Sequence, residues 1–541
     1  MENNTNQNIQ PNIQPEVLSQ MPPQGGPMPP MPGMPMRPHV NRTRTWSERM
    51  MKRFGMDTIN QVPSKGAKTI PDWLTGKAVA FFFVAMFVCW FAYGCVPPTD
   101  LWLTASISVV LFFYGAKTMA GSWKTEKEKQ FLKYVFWVGV AIRLLWVIYL
   151  YFFFNPDYYG TTYGDGADVE WYMPFGKQLS TWFSDGKSFS DLVLLLTDAA
   201  DDAGYPLWLG VVYSIFGETS DVFAPMCIKS IAGSYCAILI YHIAKRHFGA
   251  DTARTAAIFV CLNPNMIYWC GSMMKEAEMV FVCCVGVDQI DHAFSSGNKL
   301  TFRSMWLGLL AGLYLFMFRT ALAVAFFLAV MTHIVASSNR VMSIGKKMIA
   351  TALVGILVIF AMGGQLESRI DNLTEAAQSD EQTENMEWRS KREGGNQFAK
   401  YASKTVFAPL IFTIPFPTFN QANEKQLLQI QLSGGSYIKN ILSYFVIVVM
   451  ILMLISGEWR RHVFILAYTL GYLAVLALSN FAQSGRFHMP IWPMLMLFSA
   501  YGIQIAKNNV RVRKWFPLVL VGEVFVCLAW NWFKLKGRGM I

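Results

Sequence analysis

Charge is what this sequence has least of. Asp, Glu, Lys and Arg together make up 15% of its 541 residues, against roughly 25% in ordinary soluble domains. The marks of several function classes are also missing. There is no phosphate-cradling GxxxxGK[ST] loop, no GxGxxG behind a strand and no HExxH helix, which argues against a nucleotide-driven pump and a zinc protease. The nine cysteines (Cys89, Cys95, Cys227, Cys236, Cys261, Cys270, Cys283, Cys284 and Cys527) lie within or at the ends of apolar segments, with no CxxC or other metal spacing. They read as small buried hydrophobes and imply neither a disulfide framework nor a metal site. Residues 1–40 do not pair a basic start with a short apolar run, so they are not read as a secretory signal.

What is present is apolar sequence: 53% of the residues are hydrophobic and 15% aromatic. Apolar segments run over 78–96, 101–119, 134–154, 222–244, 252–270, 276–293, 304–318, 320–337, 347–364, 437–457, 462–480, 486–506 and 515–533. Many approach or exceed the roughly 18–20 residues that cross a bilayer. The expected fold class is an all-α polytopic membrane protein of about 13 transmembrane helices with external amphipathic helices. The net charge of +11 then belongs to the cytoplasmic loops and implies no nucleic-acid partner.

Charge distribution orients the chain. Residues 1–40 are rich in Asn, Gln, Pro and Met and cannot bury a core. Residues 41–77 are basic, which places the N-terminus in the cytoplasm. Alternation from there makes the loops at 120–133, 244–254, 294–303, 338–347, 457–462 and 507–514 cytoplasmic, and each carries basic residues. The loop at 155–221 is then external and is acidic. One misfit is that Lys534, Lys536 and Arg538 fall outside if the last segment spans fully. The organisation expected is a tail at 1–77, two helices at 78–133, a core at 134–364, a long external loop at 365–436 and C-terminal helices at 437–541.

The stretch Tyr163–Leu179 stands out. Asp165, Asp168 and Glu170 lie within six positions just beyond an apolar span, where charge is costly unless it faces water, pairs or works. Gly164 and Gly166 interrupt regular structure and favour a loop holding Asp165 and Asp168. Trp171, Phe175, Leu179 and Trp182 recur at helical spacing, predicting a surface helix with these on its apolar face. The competing reading is that both aspartates are solvated or helix-capping. Arg143, Lys229 and Glu523 fall inside spans, where packing pairs facing the bundle interior are expected. Asp198, Asp201 and Asp202 offer oxygen ligands suited to Mg²⁺ or Mn²⁺, with a solvated acidic loop as the alternative.

Several local patterns occur in a particular order. Asp168 stands four residues before Tyr172 in the acidic loop, and Gly204-Tyr205-Pro206 opens a short apolar run ending Phe216-Gly217-Glu218. A span ends Lys245-Arg246-His247-Phe248-Gly249, Asn263-Pro264 follows in the next, then Lys275-Glu276, and Arg486-Phe487-His488 enters a late span. In this order the segments 155–293 and 480–505 resemble the GT-C superfamily of membrane glycosyltransferases, of the protein mannosyltransferase and aminoarabinose transferase type. Two spans precede the one that leads into the acidic loop, an addition to the simplest members.

The resemblance implies a multi-pass enzyme of the bacterial inner membrane, working on the cell envelope from its extracytoplasmic side. It would take a polyprenyl-phosphate-linked sugar as donor and a glycan, lipid or protein as acceptor. Asp168 holds the position of the base, with Asp165 as second candidate or as orienting group, and Tyr172 beside them. Lys275 is a candidate point charge for the lipid phosphate, with its neighbour Glu276, and the plain alternative is a local charge pair. Arg486 can grip two phosphate oxygens, and His488 lies beside it. Arg319, between two apolar runs, either helps line the donor site or anchors at the interface. A polysaccharide polymerase or ligase using lipid-diphosphate-linked glycans, and a lipid-linked sugar flippase or transporter, remain as alternatives.

Overall fold

Apolar runs become helices here because a helix satisfies its own backbone donors and acceptors without water. The computed structural model describes residues 46–53, 69–94, 96, 99–153, 166–186, 188, 202–217, 222–295, 301–336, 344–362, 387, 390–391, 396–398, 407–420, 429–479 and 482–541. Among these, every regular element is helical. Asp165, Asp198 and Asp201 lie outside the described residues.

The order begins with α1 (Trp46–Arg53), α2 (Asp72–Tyr93) and α3 (Thr99–Val110), which runs through a π turn at Leu111–Gly115 into α4 (Ala116–Ser122). Helix α5 (Glu128–Phe153) leads to two helices set apart, α6 (Gly166–Ser184) and α7 (Gly204–Phe216). Then come α8 (Phe223–Phe248), α9 (Ala250–Leu262), α10 (Pro264–Tyr268), α11 (Glu276–Ser295), α12 (Phe302–Phe316), α13 (Thr320–Ala336) and α14 (Ile344–Met362). The chain closes with α15 (Gln429–Ser456), α16 (Val463–Leu478), α17 (Gly485–His488), α18 (Trp492–Asn508) and α19 (Val510–Gly537).

Each of the apolar stretches named above carries helix. Among the described residues, seven helices are long and apolar enough to cross a membrane: Asp72–Tyr93, Trp102–Ser122, Glu128–Phe153, Phe223–Phe248, Leu432–Ser456, Gly485–Asn508 and Val510–Gly537. This is the pattern of a multi-pass membrane protein. Others are shorter, such as α12, α13 and α16. One stretch, 252–270, is broken at Asn263-Pro264, where the Asn263 side chain caps α10 by accepting from Met266 N. Pro264 has no N–H to give the carbonyl one turn back.

That break explains a buried cation. Arg143 of α5 donates to the carbonyls of Cys261 (3.0 Å) and Val260 (3.3 Å), those orphaned by the break, and to Gly139 O (3.2 Å). The expected packing pair is therefore not what Arg143 makes. Glu523 likewise meets the Cys527 thiol (3.8 Å) and no cation among the described residues.

Charged residues gather at the two ends of the bundle. At one end Lys245 meets Glu128 (2.5 Å), Arg246 meets Asp288 (2.7 Å) and Asp291 (2.6 Å), and His247 contacts His462. Helix α11 runs from there to the cluster described below, and Glu276 and Asp291 are separated along it by roughly 22 Å at 1.5 Å per residue. The basic end of α19 meets the second long loop, with Lys534 donating to Thr418 Oγ1 (2.9 Å) and Asn396 to Phe533 O (3.0 Å). Lys534 thus lies at the same end as that loop, as a full last span requires.

Helices α15 and α18 pack closely at Gly502, where an added Cβ would stand 2.5 Å from the Phe445 carbonyl oxygen. Small residues permit such approach between membrane helices. Gly502→Ala should cost about 1–3 kcal/mol by overpacking, whereas Gly522→Ala, which meets nothing within 4 Å, should leave the melting temperature in detergent unchanged or raised.

Candidate functional site

The surface helix α6 carries the acidic stretch. Its buried face is Val169, Tyr172, Gly176 and Leu179, packed so closely on α7 that a Cβ added at Gly176 would stand 2.7 Å from Leu209 Cβ and one added at Gly210 2.8 Å from Leu179 Cβ. Of the expected apolar stripe, Leu179 lies on this face. Trp171 and Phe175 stack on each other (5.2 Å) and Trp171 stays 40% exposed, because the glycine faces, and not the largest side chains, let two helices approach. Asp168 lies in the first turn of α6, where a carboxylate suits the helix dipole, and one turn before Tyr172 it shares that residue's face.

Arg486, in the single turn α17, joins two carboxylates. Its Nη2 lies 2.5 Å from Asp168 Oδ2, and its Nε pairs with Glu276 Oε1 at the start of α11. The two acids differ in exposure: the Glu276 side chain is wholly buried and that of Asp168 is 39% exposed. Glu276 Oε2 has no hydrogen-bond partner among the described residues. Tyr172 is buried with its ring edge-on to Tyr205 (5.2 Å), and its hydroxyl is likewise unpartnered. Burial, and then the Glu276 and Asp168 carboxylates, hold the Tyr172 phenol above its ordinary pKa, so it stays a neutral donor.

Lys275 is also buried here. Its Nζ donates to Phe318 O (2.9 Å) and pairs with the Asp202 carboxylate, not with its neighbour Glu276. Burial pushes the Lys275 ammonium down to about 7; Arg319 and Arg486 act the same way, while Glu276 and Asp168 oppose it. Arg319, three residues after α12 ends at Phe316, donates to the Tyr472 hydroxyl (3.0 Å) and lies 4.1 Å from the Phe487 ring centroid. Tyr472 in turn donates to Phe487 O (3.0 Å).

Asp168, Tyr172, Lys275, Glu276, Arg319 and Arg486 are thus brought together from separate elements. His488 is not among them. It is completely buried, its Nδ1 is 3.0 Å from Lys439 Nζ and its Nε2 is 2.8 Å from Ala482 O. Asp202 was open to a metal-ligand reading, but its carboxylate goes to Lys275. Among the described residues no group of three or more His, Cys, Asp and Glu is arranged to hold a metal ion. Tyr472 was missed as a site residue, and Asp202 was weighed only as a metal ligand. Tyr472 carries no signal within an apolar run, and only the density of acids around Asp202 pointed to it.

Compared with protein-family models, curated proteins and solved structures, the chain matches none.

Chemically, the cluster is a set of cations already matched by carboxylates, a tyrosine hydroxyl and a backbone carbonyl. Asp168 on Arg486 and Asp202 on Lys275 are the part-exposed acids, at 39% and 43%. Glu276 is the buried one. Arg486→Ala would strand that carboxylate without its cation and should lower stability by about 3–5 kcal/mol. Arg486→Met with Glu276→Met should recover most of the loss, as read by thermal unfolding in detergent. A second outcome follows from Lys275, which is charged below about 7 and neutral above it. Affinity for inorganic phosphate, used as an anion probe, should fall as pH rises through that value, and Lys275→Arg, which keeps its charge, should flatten the dependence in calorimetric titrations.

Proposed function

We propose that this chain is a membrane glycosyltransferase of the GT-C kind that moves a sugar from a polyprenyl-phosphate-linked donor to a glycan, lipid or protein acceptor. It would cross the bacterial inner membrane about 13 times, with its N-terminus in the cytoplasm and the charge cluster on the external side. The observation that carries this reading is the convergence of the half-exposed Asp168 with Arg486, Lys275 and Arg319 beside the surface helix α6. A base and a phosphate site are what the transfer requires, and they lie at the end of the bundle opposite the basic loops.

The donor phosphate is received by Arg486, Lys275 and Arg319, and its arrival draws Arg486 away from Asp168. A carboxylate relieved of its cation becomes a stronger base. The acceptor hydroxyl oxygen attacks the anomeric carbon, and its proton passes to Asp168. The bond from that carbon to the phosphate oxygen breaks, its electron pair leaving on the lipid phosphate, where the cations stabilise the growing charge. Inversion at the anomeric carbon is what the resemblance to GT-C enzymes implies.

The test is transfer of radiolabelled sugar from polyprenyl-phosphate donors by purified protein, wild type beside Asp168→Asn. The variant should fold, since Asn still offers Arg486 an oxygen at a half-exposed position, and its turnover should drop by about 10²-fold or more. Full transfer by the folded variant would remove Asp168 as the base. Movement of whole repeat units from diphosphate donors, with none from monophosphates, would replace the reading with a polymerase or ligase. Movement of lipid-linked sugar across the membrane without transfer would replace it with a flippase.

A further inference from the structure

The two site residues Lys275 and Glu276 sit at the end of an irregular backbone path inside the described bundle. After the break at Asn263-Pro264 come the short helix α10, a 3-10 turn at Trp269–Gly271 and bends at Ser272–Met274. All of Met273, Met274 and Lys275 are buried. Carbonyls on such a path have no helical donors, and in an apolar bundle an unmet carbonyl is costly. Lys229 of α8, wholly buried, meets two of them: its Nζ donates to Ser272 O (2.7 Å) and to Met274 O (2.6 Å). Its third direction faces Glu278 Oε1 at 3.5 Å, and the Tyr205 ring centroid lies 4.4 Å away.

We propose that Lys229 is a positioning residue: by gripping the carbonyls on either side of Met273 it sets the turn that delivers Lys275 to Phe318 O and Asp202 and Glu276 to Arg486. Its catalytic consequence rests on the transfer reading above; its effect on Lys275 does not. An ammonium has three donors and no acceptor, so one side chain can hold two carbonyls and still meet an acid. Nothing in the grip touches the reacting atoms. The groups that face Lys275 from the surrounding elements are Asp202, Asp168, Glu276, Arg319 and Arg486, and their distances to it are what the grip maintains.

Two double variants isolate the carbonyl grip from the buried charge. Lys229→Met with Glu278→Gln removes both charges and the donors. Lys229→Gln with Glu278→Gln removes both charges but keeps an N–H₂ that can reach a carbonyl. In the full-length protein in detergent, the pH midpoint for acetylation of Lys275 by acetic anhydride, read by mass spectrometry, should move from about 7 toward the ordinary lysine range in the Met variant and stay put in the Gln variant. Donor KM should rise at least about tenfold in the Met variant, a loss in line with displacement of a binding group by a fraction of an ångström, and stay within about twofold in the Gln variant. A folded Met variant with the wild-type midpoint overturns the proposal, as does failure of either variant to fold, which would make the contact one of stability alone. A wild type that transfers nothing defeats the transfer reading, and the acetylation midpoint still decides the role of Lys229.

Discussion

The rest of the site depends on one buried charge. Glu276 is cut off from solvent at the head of a long helix, and in an apolar bundle such a carboxylate persists only against a cation. Arg486 supplies it, and because a guanidinium presents a fork of donors, the same side chain can hold Asp168 as well. The two acids are therefore unequal. Glu276 sets where Arg486 stands, and Asp168 is reached by water. A structure that held both acids buried would be rigid but closed to ligand. One that held both exposed would leave the arginine free to wander.

A second constraint is the irregular backbone. Away from water every bent carbonyl must be met, and this protein meets them with long polar side chains carried on neighbouring helices. Arg143 takes the carbonyls orphaned at Asn263-Pro264, and Lys229 takes those at Ser272 and Met274. The segment Phe407–Asn420 is treated in the same way. Lys439 reaches Ile414 O, Asn440 reaches Thr413 O and Pro415 O (3.3 Å), and Asn531 Oδ1 accepts from Phe419 N (2.9 Å) and Asn420 N (3.2 Å). Polar residues inside the spans thus serve mainly to bend the chain at chosen places. That is how Lys275 and Glu276 come to stand together at the mouth of a helix, each turned to a different partner.

The helical segments were legible from the sequence because apolarity and helical period are local properties. A run such as 437–457 must be helix to satisfy its own backbone, whatever surrounds it. Within the site, Asp168, Lys275, Glu276, Arg319 and Arg486 could be picked out because charge beside an apolar span is expensive and so draws notice. Which side of α6 meets α7 was not legible: the aromatic period marks an apolar stripe for the membrane surface, and Gly176 and Gly210, distant in the sequence, set the side that approaches α7.

By itself, then, the sequence determined where the helices are, which charged residues stand near their ends, and that the chain is of the membrane-spanning kind. Tertiary structure alone decided the pairings. Lys275 goes to Asp202 and not to the adjacent Glu276, Glu276 goes to Arg486, and His488 turns away to Lys439 although it lies two residues from Arg486. The physical reason is that an ion pair costs or stabilises according to how completely water is excluded around it. That exclusion comes from helices distant in the chain packing against one another, which no local pattern encodes.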